Sequence, residues 1–198
     1  MKNLILFDFD GTITTKDSLG EFLFFSNGFL KFYFGALCLS PILFAHKMGF
    51  ISSDYSKQIV LKYFFKGKSI QWMEAMGNKF CEIRLPAILK KDALFSIKKH
   101  INDGDDVCIV TASLSFWVKP WADSLNLNVI STKMEVKLNL LTGKYNGYNC
   151  NSYEKVNQIK REYDIKAYKN IIAYGDSKGD LPMLELAHIS NYCSFNEK

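Results

Sequence analysis

The sequence has little of what marks disulfide-bonded, zinc-binding or nucleic-acid-binding proteins. Its five cysteines are an odd number, and no two of them form a C-x-x-C pair, so neither a disulfide framework nor a zinc site is indicated. We therefore expect a protein of the reducing cytoplasm. The formal net charge is only +5, which is too small and too dispersed to indicate a nucleic-acid partner.

Long apolar runs are scarce as well. The first run ends at Asp8, so we expect no signal peptide at the start. Residues 32–45 are aromatic-rich and carry no charge, but 14 residues are too few for a spanning helix, which needs about 20. Pro41 is expected to kink or end a helix there. Two hypotheses stay open: this segment belongs to a helical core, or it contacts lipid at a membrane surface.

What the sequence does contain suits a folded domain with a sizeable core: 198 residues, 48% hydrophobic and 23% charged. Short apolar runs predict strands at residues 4–7, 107–111, 127–130 and 170–174, and residues 189–193 are predicted to form a short last strand. Alternation over residues 134–148 predicts a hairpin that turns at 141–144, and helices are predicted at 93–100 and 152–163. This order indicates an α/β fold with a doubly wound, mostly parallel sheet.

The region between the first two predicted strands is organised differently. Residues 18–94 follow a helical pattern without a convincing strand, and they are too many for a single crossover helix. We interpret them as an inserted helical domain. The predicted division is therefore a core domain of residues 1–14 and 95–198, with a helical domain of residues 15–94 inserted after the first strand.

Polar and acidic side chains follow three of the predicted strands. Asp8 and Asp10 come after the first strand, Thr111 ends the second, and Asp176 follows the fourth. Because the carboxyl ends of parallel strands lie at one edge of a sheet, these residues are expected to converge. Carboxylate oxygens are ligands that Mg²⁺ prefers. Taken alone, Asp8 and Asp10 are also compatible with a turn that they merely cap.

Four segments of the chain carry the polar residues of interest. They are Asp8-Phe9-Asp10-Gly11-Thr12, Thr111-Ala112-Ser113, Lys155 and Gly175-Asp176-Ser177-Lys178-Gly179-Asp180. In this order they resemble the four motifs of the haloacid dehalogenase (HAD) superfamily, and the long helical insertion resembles the cap domain of its phosphoserine-phosphatase-like subfamily IB. The resemblance implies a Rossmann-like sheet with a helical cap, and a phosphatase that hydrolyses phosphomonoesters.

The resemblance also implies a role for each catalytic position. Asp8 attacks phosphorus and becomes an aspartyl phosphate. Asp10 protonates the leaving oxygen and then takes a proton from the attacking water. Thr111 and Lys155 hold the phosphoryl oxygens. At this second acid position the superfamily differs between reaction types, and Asp10 resembles the phosphatase version.

The implied cofactor is Mg²⁺. By resemblance it is bound by Asp8, by the backbone carbonyl of Asp10 and by Asp176, while Asp180 orients the site from nearby.

The implied substrate is a small phosphorylated metabolite, contacted by Thr12, Asp17 and Ser113. Phosphoserine specificity is not indicated, because the cap has no arginine before Arg84 and only Lys57 could replace one. The uncharged segment at residues 32–45 also resembles caps of phosphatidylglycerophosphate-phosphatase-like enzymes. A lipid phosphate, with peripheral contact at the inner face of the membrane, is therefore the alternative.

A non-enzymatic phospho-acceptor domain of the response-regulator type is the remote alternative, since such domains also carry an aspartate at a strand end. They are shorter, at about 120 residues, and lack a helical insertion. The sequence indicates no oligomeric state.

Overall fold

A central parallel sheet organises the fold, in a computed structural model that describes residues 1–195. Its strands are β1 (Leu4–Phe7), β2 (Asp106–Leu114), β3 (Asn128–Thr132), β6 (Ile171–Gly175) and β7 (Ile189–Tyr192). They lie in the order β3-β2-β1-β6-β7, and every neighbouring pair is parallel. All four residues of β1 are fully buried at the centre of the sheet. The predicted α/β fold with a doubly wound, mostly parallel sheet is confirmed.

The predicted hairpin is present, but its turn is elsewhere. Strands β4 (Met134–Lys137) and β5 (Leu140–Tyr145) pair antiparallel, and the chain turns at Leu138 and Asn139, both with positive φ. The prediction of a turn at residues 141–144 was wrong, because Gly143 lies within β5. There it has a φ of 82°, and an added Cβ would collide with the backbone of Lys62. The glycine therefore allows the helical insertion to approach this strand closely.

Seven helices accompany the strands within residues 1–195. The α-helices before β2 are α1 (Ser18–Lys47), α2 (Ser53–Phe65), α3 (Ile70–Ile83) and α4 (Lys91–Asn102). Those after β2 are α5 (Ser115–Asp123), α6 (Tyr153–Glu162) and α7 (Leu181–Leu186). Apart from these seven, short 3-10 turns lie at Leu85–Ile88, Ile165–Ala167 and Lys178–Asp180. The helical character predicted for residues 18–94 matches α1 to α3, whereas the division into two domains stays a prediction.

Helix α1 departs from the prediction in where it bends. The helix continues through Pro41 with helical dihedral angles, so it does not end at that residue. The Ser40 hydroxyl donates to the carbonyl of Leu37 over 2.8 Å, which gives a partner to the oxygen that Pro41 cannot bond. The bend lies instead at Gly28, where φ is 73° and ψ is 171°.

The core forms two layers, one on each face of the sheet, because alternate residues of β1 point to opposite faces. Ile5 and Phe7 pack in the layer that includes the helical insertion, while Leu4 and Leu6 pack in the other. Phe22 of α1 stacks on Trp117 of α5 with ring centroids 4.4 Å apart. This contact holds the first turns of α1 against the core, next to the residues that follow β1.

Candidate active site

Asp8 and Lys155 form the buried centre of the site. Asp8 directly follows β1, and its backbone N–H donates to the Tyr174 carbonyl of β6 over 2.9 Å. The Lys155 ammonium, from the first turn of α6, donates to Asp8 Oδ1 and to Asp180 Oδ1, each over 2.6 Å. It also donates to the Val110 carbonyl of β2 over 2.8 Å. A single buried cation therefore connects three elements at one edge of the sheet.

The charges at this centre do not balance, and the pKa values reflect this. Burial raises the pKa of Asp8 to about 7, against the opposing effect of Lys155 and with a further increase from Asp180. Burial also acts to raise the pKa of Asp180, but Lys155 outweighs it and the net shift is downward. Burial alone would lower the pKa of Lys155, yet its two carboxylate partners raise it. Lys155 therefore stays charged, and its ammonium, which is shared with Asp180, compensates the negative charge of Asp8 only in part.

Three carboxylates could bind a metal ion together. Asp8, Asp176 and Asp180 each offer an oxygen, and these atoms lie within 4.8 Å of one another. Asp176 is half-buried and accepts a hydrogen bond from the Thr12 hydroxyl over 3.1 Å. Burial and then the neighbouring Asp180 raise the pKa of Asp176, although Thr12 acts against them. These three carboxylates outnumber the one ammonium, Lys155, that is paired with Asp8 and Asp180, and such a set of hard oxygen donors fits Mg²⁺.

The Asp10 carboxylate is held by a chain of hydrogen bonds and is not part of that cluster. Its Oδ1 accepts from the Ser18 backbone N–H over 2.7 Å, and its Oδ2 accepts from the Ser113 hydroxyl. The Ser113 and Ser18 hydroxyl oxygens lie 3.0 Å apart, and the Trp117 indole N–H donates to Ser18 Oγ over 2.9 Å. Burial, and then Asp17, raise the pKa of Asp10, while the two serines oppose this shift. A raised pKa suits a carboxyl group that must hold and release a proton.

A cavity of about 390 Å³ opens onto these groups. Its wall includes almost all of the predicted site residues, namely Asp8, Asp10, Asp17, Thr111, Ser113, Lys155, Asp176 and Asp180. Thr12 is not among the described residues that line it; the side chain is buried, and its hydroxyl donates to Asp176. Asp17 lies at the rim, where its carboxylate caps α1 by accepting from the Leu19 N–H over 2.8 Å. The structure thus gathers the predicted residues, and their individual roles stay predictions.

Lys57 is the cation that the helical insertion contributes to the cavity. It projects from α2 and donates to the Ala112 carbonyl over 2.6 Å and to Asn149 Oδ1 over 3.1 Å. Burial lowers its pKa, while the nearby acids Asp10, Asp17 and Asp54 act in the opposite direction. The sequence suggested Lys57 only as a replacement for an absent arginine. These contacts give Lys57 a fixed place in the wall of the cavity that Asp8 also lines.

Three contributors to the site had no signal in the sequence. Ser18 and Trp117 orient Asp10, and Asn149 fixes Lys57. Trp117 lies 99 residues from its partner Ser18 and Asn149 lies 92 residues from its partner Lys57, and none of the three contributors belongs to a motif.

An aspartate pair after the first strand, a buried lysine and a further acidic pair at the same sheet edge define the HAD class of hydrolases. The family model of haloacid dehalogenase-like hydrolases matches residues 5–185. The chain therefore belongs to this family, and the resemblance found in its motifs is confirmed.

Three known proteins show what this chain is similar to in sequence and in structure. Protein CicA of Caulobacter vibrioides is 32% identical over 199 aligned residues, which cover 98% of this chain and 87% of CicA. A Bordetella pertussis Tohama I protein of unknown function has a similar structure, with a TM-score of 0.78, 19% identity, and coverage of 96% of this chain and 89% of that one. A substrate-bound phosphoserine phosphatase gives a TM-score of 0.70 and 20% identity, covering 97% and 86%. At these identities the two structures establish the shared fold.

Proposed function

We propose that this protein is a Mg²⁺-dependent phosphatase that hydrolyses a small phosphorylated metabolite through an aspartyl phosphate on Asp8. The observation that carries the proposal is the pairing of Asp8 with Lys155 over 2.6 Å at the base of the cavity. Asp10 stands two residues further on at the same cavity, held by Ser18 and Ser113. A nucleophile, an acid–base group and a cation for the phosphoryl oxygens are thus available together.

The reaction divides into two displacements at phosphorus. An Asp8 carboxylate oxygen forms a bond to phosphorus, and the bond to the leaving oxygen breaks as that oxygen takes a proton from Asp10. Water then attacks the aspartyl phosphate, gives its proton to Asp10 and releases inorganic phosphate. Lys155 and Thr111 stabilise the phosphoryl oxygens as charge redistributes. Bound at Asp8, Asp176 and Asp180, Mg²⁺ would supply positive charge that offsets the repulsion between carboxylate and phosphate.

The size of the cavity and a structural relative support this substrate class. About 390 Å³ is within the range of small-molecule sites. One protein with the same fold is a phosphoserine phosphatase, solved with its substrate. Lys57 would face the part of the substrate beyond the phosphate, where its charge favours a second anionic group.

A lipid phosphate is the second candidate substrate. The observation that favours it is the apolar surface of α1, whose most apolar 18-residue window is only 11% buried.

The first test measures phosphate release from p-nitrophenyl phosphate with and without Mg²⁺. We expect steady turnover that EDTA abolishes, no turnover in Asp8→Asn, and strongly reduced turnover with retained metal binding in Asp10→Asn. Asp92→Asn, at an exposed aspartate of α4, is the matched control and should behave as wild type. Near-normal activity in Asp8→Asn would exclude it as the nucleophile. A single turnover without steady release would indicate a phospho-acceptor domain.

The second test identifies the substrate. A panel of phosphorylated metabolites and lipid phosphates, each assayed for phosphate release, separates the two candidate classes by kcat/KM. A preference for lipid phosphates would replace the metabolite in this proposal.

A further inference from the structure

The part of α1 beyond Gly28 presents an unusual apolar surface. We call residues 29–48 the apolar arm. Leu30, Phe34, Leu37 and Phe44 are 82%, 63%, 69% and 63% exposed, respectively. Their spacing of four, three and seven residues places them on one face of the helix. A row of large apolar side chains in water marks an interaction surface.

The opposite face of the arm is firmly packed. Leu39 is buried, and Gly35 lies so close to the rings of Tyr63 and Phe64 on α2 that an added Cβ would collide with them. The exposed row therefore belongs to a helix with a fixed orientation. Nothing within residues 1–195 covers it.

The packing of the arm favours lying on a membrane over crossing one. Helix α1 as a whole has 30 residues, and its most apolar window has a mean hydropathy of 1.6, so it is long and apolar enough to span. Residues 29–47, which follow the break at Gly28, are close to the roughly 20 residues that a spanning helix needs, so length does not decide between the two arrangements. Gly35 and Leu39 in the middle of the arm are packed against the protein, however, and both ends of the arm continue into helices that pack on the same protein body. A helix held in this way along one face cannot be surrounded by lipid.

The charges at the arm decide between a lipid surface and a second copy of the chain. No aspartate or glutamate occurs between Glu21 and Asp54, while Lys31 and Lys47 stand near the two ends of the arm. Two arms packed against each other would bring these lysines together without an acidic partner on either arm. Anionic lipid headgroups would instead compensate both lysines while the apolar row enters the acyl boundary.

We propose that the apolar arm docks this protein on an anionic phospholipid surface, with the helix lying in the plane of the interface. Helix α2 connects the docked arm to the active site, since it packs on the arm through Tyr63 and Phe64 and carries Lys57 into the cavity. Docking therefore holds the cavity at a fixed distance from the bilayer. The proposal does not depend on the phosphatase reaction.

Flotation with vesicles tests the proposal on the full chain. Wild type should float with vesicles of phosphatidylglycerol and phosphatidylcholine, and less with phosphatidylcholine alone. The variant Leu30→Ser/Phe34→Ser/Leu37→Ser/Phe44→Ser should lose roughly tenfold or more in vesicle partitioning. A matched control, Ile83→Ser/Phe95→Ser, replaces apolar side chains of similar exposure outside the arm and should float as wild type.

The charged ends provide an independent variant. Lys31→Glu/Lys47→Glu should weaken flotation with the anionic vesicles and leave binding to neutral vesicles nearly unchanged. Equal flotation of wild type and the four-serine variant would overturn the proposal, as would failure of wild type to float. Sedimentation velocity on the same samples distinguishes a second copy, which would appear as a dimer that the serine variant dissociates. Phosphate release from p-nitrophenyl phosphate, measured in every variant, reports on the proposed function separately.

Discussion

Replacing Lys155 with methionine tests the charge arrangement of the site most directly. The substitution keeps much of the side-chain volume and removes the ammonium that donates to Asp8, to Asp180 and to the Val110 carbonyl. Both carboxylates are then left buried without their cation. Removing one partner of a buried ion pair typically costs about 3–5 kcal/mol of unfolding free energy, because a buried charge is left uncompensated.

The loss of stability should depend on pH in a defined direction. Burial already raises the pKa of Asp8 to about 7, and losing Lys155 removes the main effect that opposes this rise. An aspartate whose folded pKa exceeds its unfolded value of about 3.9 binds more protons when folded, so stability falls as pH rises between the two values. The cost of Lys155→Met should therefore be full at pH 8 and much smaller at pH 5, where a proton replaces the missing cation.

Urea unfolding at pH 5 and pH 8, with EDTA present to exclude divalent ions, measures this difference. Lys160→Met is the control, because Lys160 is an exposed lysine of the same helix and should lose little stability at either pH. Adding Mg²⁺ at pH 8 should restore part of the stability of Lys155→Met. A variant as stable as wild type at pH 8, or a loss of equal size at both pH values, would refute the electrostatic reasoning.

Two further predictions concern Asp10 and the packing of the insertion. Ser113→Ala removes a hydrogen bond that lowers the pKa of Asp10, so the alkaline limb of the kcat/KM profile should move to higher pH, and an unmoved limb would contradict this. Gly77→Ala would press a Cβ against the Phe116 carbonyl and should cost about 1–3 kcal/mol in urea unfolding. Gly20→Ala, where a Cβ meets no atom within 4 Å, should not destabilise, and equal losses at both glycines would refute the packing argument.

The sheet could be predicted because its signals are local. Strands β1, β2 and β6 contain short apolar runs, and a run buried on both faces needs no knowledge of its neighbours to be identified. The hairpin turn could not be placed in the same way. Leu138 and Asn139 adopt positive φ without glycine, whereas Gly143 serves the approach of Lys62 from another part of the chain. Gly143 is therefore explained by a tertiary contact, whereas the turn at Leu138 and Asn139 contains no glycine by which it could be predicted.

The same distinction between local signals and tertiary contacts applies to the residues of the candidate site. Asp8, Thr111 and Asp176 could be predicted to converge because strand ends in a parallel sheet share an edge. Ser18 contacts Asp10 and Trp117 contacts Ser18, and both contacts depend on how α1 and α5 pack over that edge. No periodicity or motif in the sequence determines that packing, so these two residues could be found only in the structure.

Helix α1 shows how one glycine separates two environments in a single element. Ser18 at its start donates to Asp10, and Phe22 stacks on Trp117, so the first part of the helix is fixed to the catalytic edge. Gly28 then has a φ of 73° and a ψ of 171°, a region that is essentially restricted to glycine, and an added Cβ there would meet no atom within 4 Å. The backbone dihedral angles at this position therefore require glycine, although the surrounding space would admit a side chain. Because Gly28 redirects the chain, residues 29–48 form an exposed apolar arm, whereas the first turns of the helix stay packed next to the active site.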